Sequence, residues 1–131
     1  MPSKSKRKGS DWERQAVEIL NKAIVGGNFK KIPGSGMLGT ILSEPLLTAD
    51  IVGHIDSIPR ALKIECKVGY GSAKQFTMKK EWLDKVKMEA QSDYSLPLLL
   101  GKFSGAREGV RAFVVMDLEA FAEFINSLSK E

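Results

Sequence analysis

The sequence predicts an α/β fold: a mixed β-sheet covered by helices on both faces, with elements in the order αβββαββα. Three observations carry that prediction. Apolar residues recur at helical spacing near the start, past the centre and at the end. Apolar runs of strand length lie between them, and glycine and proline clusters separate one from the next. With 131 residues, 43% of them hydrophobic, the chain suits one domain with a real core.

Each element has its own signal. Ser10-Asp11-Trp12-Glu13 reads as a capping box that opens a helix. Trp12, Ala16, Ile19, Leu20 and Ala23 then form a buried stripe, and Gly26-Gly27 ends it. Asn28 to Ile32 forms a short strand. Pro33 to Pro45, rich in glycine and serine, reads as a long irregular excursion, a place where function is often carried. Leu46 to Ile55 and Arg60 to Val68 read as strands joined through Asp56-Ser57-Ile58-Pro59, with the proline outside the central ladder. After Gly69-Tyr70-Gly71-Ser72 comes a helix with Met78, Trp82, Val86 and Ala90 on its apolar side. Leu96 to Phe103 and Val110 to Met116 extend the sheet. Asp117 caps a last helix carrying Leu118, Phe121, Ile125 and Leu128 on one face.

Several function classes are excluded. No apolar run reaches the ~18 residues of a membrane span, and no hydrophobic signal core follows the basic start. The expected setting is intracellular, cytoplasmic or nucleoid-associated, away from membranes. One cysteine, Cys66, and one histidine, His54, can build neither a disulfide nor a structural zinc site of the usual kind. The net charge of +4 is unevenly placed, with +4 in residues 1–8 and +5 in residues 60–87. Two basic zones suit a phosphate backbone, whose contacts release condensed cations. Residues 1–9 are expected to be a flexible basic tail on a single domain of residues 10–131.

Four ionisable residues stand out. Strand alternation turns Leu62, Ile64, Cys66 and Val68 one way and Lys63, Glu65 and Lys67 the other, so Cys66 reads as core. Glu65 and Lys67 emerge on one face about 6 to 7 Å apart. Asp50 on the neighbouring strand can approach them, and Glu13 lies on the first helix. Acids set in such apolar strands need a partner or a metal. A carboxylate pair offers hard oxygen ligands to Mg²⁺, with Mn²⁺ as the alternative, leaving room for water and a phosphate.

Taken together, Lys8-Gly9-Ser10-Asp11-Trp12-Glu13, Gly34-Ser35-Gly36, Asp50 and Glu65-Cys66-Lys67 resemble the PD-(D/E)xK nuclease superfamily, and within it the archaeal-type Holliday junction resolvases, which also occur in viruses. The resemblance spans nearly the whole chain. Ala49 stands where the superfamily's name has a proline, which is not a ligand. The resemblance implies a restriction-endonuclease-like sheet, a homodimer, and a hydrolase that resolves four-way DNA junctions in recombination and repair. It implies metal ligation by Asp50 and Glu65, support from Glu13, attack assisted by Lys67, and a phosphate contact by Ser35. It also admits a virus-encoded protein acting in a host cell.

Further DNA contacts are expected from Lys4, Lys6, Arg7 and Lys8 in the tail, and from Tyr70, Lys74, Gln75, Lys79 and Lys80 beyond the catalytic strand. Two alternatives stand beside this reading. One is a related repair or restriction-type nuclease acting on duplexes. The other is a DNA-architectural protein without catalysis.

Overall fold

The structure, a computed structural model, describes residues 4–32 and 49–128, with side chains from Lys8 onward. Its elements are α1 (Lys4–Ala23), β1 (Gly27–Lys31), β2 (Ile51–Ile55), β3 (Ile58–Val68), α2 (Lys80–Gln91), β4 (Leu96–Lys102), β5 (Ala112–Val115) and α3 (Leu118–Leu128). The expected order and class hold. The excursion after Pro33, with Ser35 in it, and the first residues of the strand expected from Leu46 lie outside the described residues.

The strands lie in the order β1-β2-β3-β4-β5, with β3 and β4 parallel and every other pair antiparallel. A parallel pair needs a long crossover, and here α2 supplies it. The central strands separate two environments. Leu62 and Ile64 of β3 join Leu96, Leu98 and Leu100 of β4, Ile51 and Phe29 in a core closed by Trp12 and Ala16 of α1. The Trp12 indole N–H donates to the Leu100 carbonyl at 3.3 Å, so the one polar atom of that ring is satisfied where it is buried. On the other face, α2 buries Val86 and Ala90.

Three expectations are corrected. α1 begins at Lys4, so Ser10 is inside the helix and is no N-cap; its hydroxyl instead accepts from Lys31 Nζ at 2.7 Å. Pro59 belongs to β3. It sits where His54 stands opposite Pro59, Arg60 and Ala61, a bulge at which a missing N–H breaks no regular ladder. Met78 lies before α2 and is half exposed. On α3 the apolar face carrying Leu118, Phe121, Ile125 and Leu128 is exposed, whereas Ala120 and Phe124 turn inward. Asp117 does cap α3, its carboxylate accepting from the Ala120 amide at 3.3 Å.

Phe29 fixes how β1 meets β2. Asn21 of α1 donates to the Phe29 carbonyl at 3.0 Å and accepts from its amide at 2.8 Å, tying down the sheet's edge strand. The Phe29 ring lies over Gly53, where an added Cβ would come 2.2 Å from Cδ2. Gly53→Ala is therefore expected to destabilise the fold by about 1–3 kcal/mol, read from urea unfolding. A midpoint unchanged from the parent would show that the ring can shift freely.

Among the described residues no helix is long and apolar enough to cross a membrane.

Candidate active site

The odd-numbered side of β3 faces α2. Glu65 is buried there, with its side chain 8% exposed, and Lys67 Nζ stands 3.8 Å from Glu65 Oε1. The same ammonium lies 4.9 Å from the centroid of the Trp82 ring, a cation–π contact that restrains a long side chain at the site's edge.

Asp50 immediately precedes β2. The antiparallel pair Ile51↔Ile64 sets it beside Glu65 by register, the approach the sequence allowed. Its Oδ2 accepts from the Cys66 amide at 2.9 Å, and its carbonyl accepts from the Ile32 amide at 2.9 Å. Asp50 is thus held by the backbone on both sides.

The charges crowd. Burial, and next the Asp50 charge, push Glu65 from an ordinary 4.5 up to about 7, with Lys85 and Lys67 opposing and Glu89 adding to the rise. Burial and then Asp50 also raise Glu13, against Lys31, whose Nζ is 3.7 Å from Glu13 Oε1. The acidic field of Asp50 therefore reaches Glu13 on one side of the sheet and Glu65 on the other. Burial first, and then Asp50, push the Cys66 thiol up, so it stays neutral and is no nucleophile.

These groups are chemically suited to a hard divalent cation. Asp50 and Glu65 present carboxylate oxygens at neighbouring strands, and after burial the Asp50 charge is the next cause of the rise in Glu65. Among the described residues no group of three or more His, Cys, Asp or Glu side chains is placed to hold a metal, so the fit rests on this pair.

The other expected residues are dispersed. Lys4, Lys6 and Arg7 lie in the first turns of α1. Lys8 donates to the Ser104 hydroxyl near the end of β4. Tyr70 is exposed just past β3. Lys74 and Gln75 are exposed, Lys79 precedes α2 at its N-cap, and Lys80 is paired with Asp84 at 2.8 Å.

Three cations escaped the sequence reading. Lys31 meets Glu13. Lys63 is fully buried, its Nζ donating to the Glu89 carbonyl at 3.0 Å and paired with Asp93 at 3.2 Å. Lys85 of α2 brings its Nζ to 4.0 Å from Glu65 Oε1. Only helical spacing could have hinted at the last, since Lys85 shares a strip with Trp82 and Glu89.

A model of the family described as "Phage putative PDDEXK endonuclease" matches residues 4–131. Among solved structures, Hjc, a Holliday junction resolvase from the archaeal hyperthermophile Archaeoglobus fulgidus, is similar at 16% identity over 88% of this chain and 88% of that one, with a TM-score of 0.49. No curated protein matches the chain.

Proposed function

The chain belongs to that family of phage PDDEXK endonucleases, and from this premise we propose that it is a Mg²⁺-dependent, structure-selective endodeoxyribonuclease that resolves four-way DNA junctions by paired cuts. The observation that carries the proposal is the buried Glu65 beside the half-buried Asp50, with the Lys67 ammonium 3.8 Å from Glu65. A carboxylate held near neutrality by burial and a neighbouring acid is costly to a fold, and a divalent ion between the two would relieve that cost.

Asp50 and Glu65 would hold Mg²⁺, or Mn²⁺ in its place, and the ion when bound supplies a Lewis acid for the scissile phosphate and water of lowered pKa. Lys67, steadied over Trp82, orients the attacking water and offsets charge gathering on the phosphate oxygens. Asp50 is aimed by the Cys66 amide, while Glu13 of α1, paired with Lys31 of β1, supports the site. Lys4, Lys6, Arg7, Lys8, Ser35, Tyr70, Lys74, Gln75, Lys79 and Lys80 hold the DNA backbone. Glu13, Asp50 and Glu65-Cys66-Lys67 would serve a junction or a duplex alike, and the support for a junction substrate is the resemblance of Lys8-Gly9-Ser10-Asp11-Trp12-Glu13 behind a basic start to the archaeal-type resolvases. A homodimer would set two sites across a branch point, and the exposed apolar side of α3 is surface that such pairing could cover.

Labelled mobile junction, immobile junction and linear duplex, each incubated with the protein in Mg²⁺ or EDTA, test the reading. Cuts at symmetry-related positions in both junctions, in Mg²⁺ only, are expected. No Mg²⁺-dependent cut in any substrate would overturn the nuclease, and equal cutting of the duplex would overturn the junction preference. In the same assay Lys67→Ala is expected to slow single-turnover cleavage by roughly 10²-fold with little change in junction affinity. An affinity loss without a rate loss would remove Lys67 from the chemistry.

A further inference from the structure

Lys85 belongs to no motif, yet it is the second cation on Glu65. Its Nζ is 4.0 Å from Glu65 Oε1, and Lys67 Nζ approaches the same oxygen at 3.8 Å. Both separations exceed a hydrogen bond, so both ammoniums keep N–H groups to donate. The two side chains differ in exposure: Lys85 is 61% exposed and Lys67 31%. Lys85 therefore stands at the solvent side of the pair.

Its position is built rather than incidental. α2 is pinned to β3 by Lys63, 0% exposed, which bonds the Glu89 carbonyl one turn beyond Lys85 and pairs with Asp93 just past the helix end. Val86, next to Lys85 in the chain, is buried against the sheet. The stem of Lys85 thus leaves a rigid helix, and its four-carbon chain supplies the reach. The remaining α2 lysines have acids of their own among the described residues: Lys80 pairs with Asp84 at 2.8 Å, and Lys87 with Glu119 at 3.0 Å and Asp117 at 3.2 Å. Lys85 alone among them has its described partner inside the acidic site.

We propose that Lys85 contacts the DNA phosphate next to the one that is cut, exchanging Glu65 for the phosphate as the strand docks, and so sets where the strand lies over Asp50 and Glu65. The proposal rests on the nuclease reading above. Lys67 stays on Glu65 when Lys85 leaves it, so the carboxylate keeps an ammonium with or without a divalent ion, and an incoming phosphodiester offers Lys85 an anion in the open direction. Lys85 serves here as a positioning residue for the strand, distinct from Lys67, which acts at the scissile group. The plain alternative is that Lys85 only offsets Glu65 within the protein.

Salt dependence separates the two. Each phosphate contact on duplex DNA contributes about 0.9 to the slope of log affinity against log salt, and an internal ion pair contributes nothing. Junction binding by the full-length chain would be measured in EDTA from about 0.05 to 0.3 M KCl for the parent, Lys85→Gln and Lys85→Arg, with Lys22→Gln as control because Lys22 pairs with Glu18 on α1. Lys85→Gln is expected to lower the slope by about one and to weaken binding several-fold at low salt, while Lys85→Arg and Lys22→Gln keep the parental slope. Single-turnover cleavage in Mg²⁺ should fall for Lys85→Gln and largely recover for Lys85→Arg. An unchanged slope for Lys85→Gln, or equal losses for Gln and Arg, overturns the assignment. Failure of the parent to bind or cut DNA would instead overturn the nuclease reading itself, so the two failures are distinguishable.

Discussion

Glu65→Gln and Asp50→Asn are each expected to slow Mg²⁺-dependent single-turnover cleavage by at least ~10³-fold, about 4 kcal/mol of barrier, while junction affinity stays within a few-fold of the parent. The amides keep size and shape but replace a charged oxygen pair with a weaker neutral donor, so the centre that would hold the ion loses half its charge. Asn at position 50 still offers an oxygen to the Cys66 amide, which in the parent bonds Asp50 Oδ2 at 2.9 Å. The local backbone should therefore persist, and the loss should be one of chemistry. Binding survives because cations elsewhere carry it. Full turnover in both variants would reject the assignment of the pair.

The second large effect is on stability and has the opposite sign. Burial and the Asp50 charge raise Glu65 from 4.5 to about 7, so the folded state prefers the protonated acid. Stability from that protonation is fully present below 4.5, is lost as pH rises through the interval to about 7, and is absent above it. The interval corresponds to roughly 3–4 kcal/mol. Without divalent ions at pH 8, Glu65→Gln should thus be more stable than the parent by on the order of 2 kcal/mol, an increase of several degrees in Tm. The gap should close as pH falls toward 4.5. Added Mg²⁺ should raise the parent's Tm and leave that of Glu65→Gln nearly unmoved, since only binding to the native state stabilises. A Glu65→Gln protein no more stable than the parent at pH 8 in EDTA would mean that Lys67 and Lys85 already compensate the ionised carboxylate. The same substitution is then expected to stabilise the protein and disable it, as befits an acid placed for chemistry.

Much of this architecture was legible because its signals are local. The alternation in β3 put Glu65 and Lys67 on one side and Ile64 and Cys66 on the other, and the core against α1 takes the second set while the first faces α2, where Lys63 and Glu65 are buried too. Where the reading failed, the deciding partner was distant in sequence. Ser10 reads as a helix cap, yet α1 starts earlier and Lys31 takes its hydroxyl, and on α3 periodicity names the apolar face but not the neighbour it meets or lacks. Lys85 reaches a carboxylate twenty positions earlier, across a crossover whose geometry no window of sequence contains. Lys63 was assigned to the polar side of its strand, yet its complete burial depended on where α2 would end.

The bulge opposite His54 has a consequence for tolerance to insertions and deletions. Because it already accommodates surplus backbone, losing or gaining a single codon among Pro59, Arg60 and Ala61 can be absorbed by redrawing that irregular stretch. Between Leu62 and Lys67 there is no such slack. One extra residue would turn the acids into the oily interior and the alkyl groups toward α2, so lineages of this chain should vary in length at the hairpin and hold it constant in the half-turns of strand just downstream.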